Sequence, residues 1–212
     1  MTEENTLEPA RLRILQTAVE MFVEHGYKAT SVRKICEAAQ VNVAMVNYYF
    51  HSKEELHLAA FDYARELAYV CDGADAAMSL PPAEQLRLAI EELVCTMLRS
   101  GPSSLFVRLV ARELIEPTAA IHRLAERHVL PQHAQFTRLI RGVVGPSWPD
   151  DVVQKCVFSA IGQVVFYARS RTVHDLVAPE LRYDEAGIAA IAGHISRFTL
   201  AALAHMCAGE LA

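Results

Sequence analysis

Residues 42–53 of this 212-residue chain read NVAMVNYYFHSK. The stretch concentrates polar groups of unlike chemistry: the Asn47 carboxamide, the Tyr48 and Tyr49 phenols, the His51 imidazole, the Ser52 hydroxyl and the Lys53 amine. A carboxamide donates and accepts at once, which suits a bidentate bond to the edge of adenine. Phenols and amines donate to phosphate oxygens. Val46 and Phe50 are i, i+4 and share a helical face, so Phe50 is expected in a core. Tyr48 and Tyr49 then point elsewhere, largely exposed. Lys53 would stand in the first turn of the next helix, where unpaired N–H groups and the helix dipole favour a phosphate.

The flanking sequence supplies elements to hold these groups. Leu12, Leu15, Val19 and Phe22 mark an amphipathic helix over 9–25, with Pro9 in its first turn and Gly26 as its stop. Thr30 is the expected N-cap of a helix carrying Val32, Ile35, Cys36 and Ala39, which Gln40-Val41 breaks. Asn42 caps a short helix over 43–49. Ser52 and Glu55 form a capping box for a helix over 53–77. Two short helices joined by about four residues make a helix-turn-helix, whose second helix enters the DNA major groove. Val32, Ile35, Val41, Val46 and Phe50 would form its small core, leaving the outer side of 43–49 for base edges.

The net charge is −5, so nucleic-acid binding must rest on a local patch rather than on the field of the whole chain. Lys28, Arg33, Lys34 and Lys53 flank the two short helices and supply one. The 52% hydrophobic content exceeds the usual level of about 45–50% and implies a large, mostly helical core. No window approaches the roughly 18 uncharged apolar residues of a membrane span. The polar N-terminus is unlike a secretion signal, so a cytoplasmic protein is expected. Five cysteines without CxxC spacing read as small buried hydrophobes.

The run GYKATSVRKICEAAQVNVAMVNYYFHSKEEL resembles the N-terminal region of TetR-family repressors. The resemblance covers roughly residues 10–67. It implies that Thr30, Ser31, Arg33, Tyr48, Tyr49 and Lys53 contact phosphates, and that Val43, Ala44 and Asn47 face bases. Two positions depart from the family pattern: Gln40 replaces the usual turn glycine, and Cys36 an alanine. Gln40 would have to accept a tight turn, with positive φ.

Beyond the prolines at 81 and 82, helices are expected at 83–100, 103–115, 118–143 (split near Pro131), 149–170 and 184–207. Ser147 with Asp150 reads as another capping box, and 172–184 as a loop. ARELIEPTAAIHRLAERHVLPQHAQFTRLI and CVFSAIGQVVFYARSRTV resemble the C-terminal domain of the CecR-type group. The expected organisation is all-α: an arm at 1–8, a DNA-binding domain at 9–55 with its motif at 31–50, a connecting helix at 53–78, and a ligand-binding and dimerisation bundle at 83–212. The helices at 149–170 and 184–207 are apolar around much of their circumference, which suits a homodimer built as a four-helix bundle. Arg108, Arg112, Gln163 and Tyr167 are the polar candidates for an effector pocket. His122, His128 and His133 do not share a helical face, so neither a metal nor another cofactor is expected.

These readings converge on a dimeric repressor, released from a palindromic double-stranded operator by a small molecule. The alternatives are an enzyme or a protein-interaction module using the C-terminal cavity. No nucleophile elbow, dinucleotide fingerprint, P-loop or HExxH motif supports catalysis, and no catalytic residue is nominated.

Overall fold

Gly26 adopts φ 81° and ψ 167°, a region open essentially to glycine alone. It kinks the first helix where the sequence placed a stop. The computed structural model describes residues 4–68, 79–99 and 103–208. In chain order its helices are α1 (Glu4–Ala29), α2 (Val32–Ala39), α3 (Val43–Phe50), α4 (Lys53–Ala68), α5 (Pro82–Leu98), α6 (Ser103–Ile115), α7 (Ile121–Leu124), a π-helical turn (Ala125–Val129), α8 (Leu130–Val144), α9 (Asp150–Arg169), α10 (Arg171–Val177) and α11 (Glu185–Cys207). Every regular element among the described residues is helical, so the fold is all-α.

The chain divides into two compact units: Met1–Tyr69 with Gly101–Arg127, and Val70–Ser100 with His128–Ala212. This differs from the expected division, which put everything after residue 83 in one bundle. The cause is the packing of α6 and α7. Phe106, Leu109 and Leu124 join a core with Ile14, Phe22, Ile35, Val46, Phe50 and Phe61 of the N-terminal helices. In the other unit, α5, α8, α9 and α11 close around Ile90, Val94, Phe136, Ile140, Val157 and Ile195. Residues 69–78, expected to complete the connecting helix, lie outside the described residues.

Several local expectations are corrected. The α1 helix begins at Glu4, ahead of Pro9, so residues 4–8 are helical rather than an arm. Pro9 lies inside this helix and forgoes its own backbone bond. The disruption near Pro131 takes the form of the π-helical turn that ends at Val129. A proline in the first turn of α8 removes a donor and crowds the carbonyl four residues back, which widens the preceding turn. Ser147 caps nothing: the N-cap of α9 is Pro149, and Asp150 pairs with Arg141. Residues 171–177 are a helix rather than a loop, and its His174, 5% exposed, turns inward to the Tyr183 hydroxyl and the rings of Phe166 and Tyr167. Aperiodic sequence concealed these anchoring contacts.

Among the described residues α11 is long and apolar enough to cross a membrane by length and composition, although Arg197 interrupts it, so no uncharged run of about 18 residues occurs there. One face of it is buried through Ile188, Ile191, Ile195 and Leu203. Of the cysteines, Cys36 is buried, Cys95 and Cys156 are half-buried and Cys207 is exposed. Cys71 lies outside the described residues.

Candidate nucleic-acid interface

The turn between α2 and α3 is built by its caps. Ser31, not Thr30, is the N-cap of α2, and its Oγ accepts from the Lys34 amide at 3.2 Å. Gln40 ends the helix in the left-handed region at φ 55°, ψ 47°, as its place in the turn requires. Its N–H reaches the carbonyls of Cys36 and Glu37. Asn42 then caps α3, Oδ1 accepting from the Ala44 amide at 2.9 Å. Ile35, Val46 and Phe50 are buried, with Val32 and Val41 packed partly against them.

That packing decides which side of α3 is free. Val43, Ala44, Asn47 and Tyr48 are exposed, Tyr48 by 67%. Tyr49 is half-buried, contrary to the expectation of two exposed tyrosines. Its ring lies 5.0 Å from Tyr48 and 6.0 Å from Phe50. At the end of the helix His51 takes φ 60°, ψ −39°. The Ser52 amide donates to the Phe50 carbonyl at 2.6 Å, closing a strained γ-turn centred on His51. The sequence left His51 without a role; its backbone conformation ends α3 and starts α4.

Two of the expected phosphate contacts are bonded within their own unit. Thr30 is 1% exposed, and its hydroxyl donates to the carbonyls of Gly26 (2.8 Å) and Met21 (3.2 Å). Lys53 turns inward: Nζ donates to the Tyr27 carbonyl at 2.6 Å and lies 4.0 Å from that ring's centre. Burial lowers its pKa. A short helix entrance packed against the α1 kink offers this carbonyl as a nearer partner than solvent. Ser31 is exposed, and so is Arg33, whose Nε donates to Glu37 at 2.8 Å.

The Ser52–Glu55 capping box is half formed. The Glu55 amide donates to Ser52 Oγ at 3.0 Å, but its carboxylate accepts from Arg123 of α7 at 2.6 Å instead of from Ser52. The Arg123 guanidinium holds the Glu55 carboxyl below its usual range. Arg127 pairs with Asp62, two turns further along α4. Nothing in the local sequence announced these long-range pairs.

The four effector candidates do not fall in one unit. Arg108 is exposed on α6. Arg112, also on α6, donates to the carbonyls of Val23 (3.1 Å) and Glu24 (2.6 Å) at the α1 kink. Its neighbour Glu113, 3% exposed, accepts from the amide and hydroxyl of Thr118, both at 2.7 Å. Gln163 and Tyr167 lie on α9; Gln163 Nε2 donates to the Ser159 carbonyl at 3.2 Å, within its own helix.

The comparisons agree with this geometry. Residues 82–203 match the family described as HTH-type transcriptional dual regulator CecR, C-terminal domain. Residues 14–60 match the bacterial regulatory proteins of the tetR family. The chain is similar to the HTH-type transcriptional dual regulator CecR of Shigella flexneri, 28% identical over 172 residues that cover 76% of each chain. It is also similar to the HTH-type transcriptional regulator TcmR of Streptomyces glaucescens, 26% identical over 193 residues, 85% of this chain and 82% of the relative. Its fold matches that of SCO4454, a TetR-family transcriptional regulator from Streptomyces coelicolor, with a TM-score of 0.63 at 23% identity, covering 92% of this chain and 96% of that one. With a capped helix-turn-helix in one unit and a match across residues 82–203 spanning most of the other, the chain belongs to the TetR family of transcriptional regulators and carries the C-terminal domain of the CecR group.

Proposed function

We propose that the protein is a homodimeric, cytoplasmic repressor that binds a palindromic DNA operator and leaves it when a small molecule binds. The observation that carries the DNA reading is the outer side of α3. Val43, Ala44, Asn47 and Tyr48 are exposed together on a helix whose opposite side is held by Val46 and Phe50. Ser31, Arg33, Tyr48 and Tyr49 are the backbone contacts this surface supports. Asn42 holds the recognition helix in place through its cap.

A second observation supports the dimer. On α9, Phe158 and Phe166 are 65% and 59% exposed, with Gly162 between them at i, i+4 spacing. On α11, Phe198 is 59% exposed and its ring lies 6.1 Å from that of His194. Exposed phenylalanines on two long helices suit a second copy of the same face. A dimer also presents two recognition helices to half-sites about one helical turn apart. We place the effector in the C-terminal unit, with Gln163 and Tyr167 as its polar candidates. Release requires only that the effector bind one dimer geometry better than the other.

Fluorescence anisotropy with the duplex upstream of the protein's own gene tests this reading. Salt-sensitive, sequence-selective binding by a dimer is expected, and Phe198→Glu should give monomers that bind weakly. Indifference to sequence, or tight binding by the monomer, counts against it. Neither an enzyme nor a protein-interaction module is favoured by any group in the described site.

A further inference from the structure

We infer that α3 reads its operator through thymine methyl groups and one adenine edge, and makes no guanine contact. This rests on the DNA-binding reading above and names what that site recognises.

The first turn of a recognition helix comes nearest the base edges. Here it presents Val43, 42% exposed, and Ala44. Neither side chain can donate or accept. The Ala44 amide is already held by Asn42 Oδ1 at 2.9 Å, so it is not offered to a base either. What this turn can give the groove is a small apolar surface. Thymine is the one standard base with a methyl group in the major groove. Against the polar edge of a G·C pair the same surface would strip water from donors and acceptors and replace none of their bonds. Asn47 stands one turn on from Val43 at i+4, exposed on the same side. Its carboxamide matches the N6 and N7 atoms of adenine.

Guanine is read most often by arginine or lysine. The α3 sequence VAMVNYYF contains neither. The nearby cations Lys28, Arg33, Lys34 and Lys53 stand on other elements. Arg33 pairs with Glu37 along α2 at 2.8 Å, and Lys53 is turned to the Tyr27 carbonyl at 2.6 Å. The reach of Arg33 suits a phosphate flanking the groove.

The test uses the full-length protein. Its preferred duplex is selected from a random pool and resynthesised with single-atom changes. Each thymine in turn becomes deoxyuridine, each adenine 7-deazaadenine and each guanine 7-deazaguanine. One or two deoxyuridines per half-site should weaken binding roughly four-fold each, the value of one methyl group returned to water. One 7-deazaadenine per half-site should weaken it by at least about five-fold. The 7-deazaguanines should leave it unchanged. In Val43→Ser the deoxyuridine effect should vanish while the 7-deazaadenine effect persists, and Asn47→Ala should show the converse. A protein that selects a sequence yet ignores deoxyuridine, or is weakened by 7-deazaguanine, overturns this inference and leaves the DNA reading standing. A protein that binds every duplex equally overturns both.

Discussion

Lys53 and Tyr27, on opposite sides of the helix-turn-helix in sequence, are joined by a 2.6 Å bond from the lysine amine to the tyrosine carbonyl. The same amine lies 4.0 Å from the centre of the Tyr27 ring. A charge-assisted bond and a cation–π contact thus tie the start of α4 to the α1 kink. Lys53→Met should lower stability by about 1–2 kcal/mol in urea denaturation. The dependence of operator affinity on salt should stay the same. Arg33, whose side chain is 84% exposed, should behave in the opposite way. Arg33→Ala should change stability by less than about 0.5 kcal/mol, because exposed ion pairs contribute little. Its log–log salt slope should fall by about 1.8, the value for one phosphate contact from each protomer of the dimer. An equal fall in slope for Lys53→Met would put Lys53 on a phosphate.

Arg112 closes the end of the α1 helix proper from far along the chain. Its two bonds, to the Val23 and Glu24 carbonyls, use separate guanidinium nitrogens. Carbonyls at a helix end lack partners within the helix. Arg112→Met should therefore cost about 2 kcal/mol by thermal denaturation. Lysine should rescue it only partly, since one ammonium cannot reproduce the fork. Loss of effector affinity at unchanged stability would instead return Arg112 to an effector site.

His57 is 3% exposed and sits among three rings, with centroids 4.6 Å from Phe22, 4.7 Å from Tyr27 and 5.0 Å from Phe61. Burial, and secondarily the Lys53 charge, push its pKa down from 6.5 to about 4. The folded protein holds the imidazole neutral, whereas the unfolded chain protonates it near pH 6.5. The stability it contributes is complete above pH 6.5 and is lost as the pH falls towards 4. The shift corresponds to about 3 kcal/mol between pH 7 and pH 4. Urea midpoints measured across that range should fall accordingly, and His57→Phe should flatten the decline.

Two non-glycine residues hold positive φ around the recognition helix, Gln40 at 55° and His51 at 60°. Gln40→Gly should raise stability by about 0.5–1 kcal/mol, because glycine meets no side-chain penalty there. His51→Gly should gain about 1 kcal/mol by relieving the γ-turn. His51→Ala, which keeps the strain but removes the ring, should leave stability near that of the parent. A gain for His51→Ala equal to that for glycine would assign the effect to the imidazole.

The sequence by itself determined most of the helices, the turn and the Val43, Ala44 and Asn47 side of α3. Local rules govern these features. Asn42 caps through an amide two residues on, Gly26 and Gln40 set backbone dihedrals, and the Val46–Phe50 spacing chooses the buried face. What only the tertiary structure decided was where long or polar side chains end. Thr30, Lys53 and Arg112 all looked free for phosphate or ligand, and all three are bonded to backbone carbonyls near the α1 kink. Tyr49 lost most of its exposure to neighbours on the same core, and a buried His174 anchors a helix in an aperiodic stretch. A flexible side chain reaches any partner within several ångströms, and that partner sits up to 89 residues away in sequence. No local pattern encodes such a meeting, so it appears only once the helices have packed.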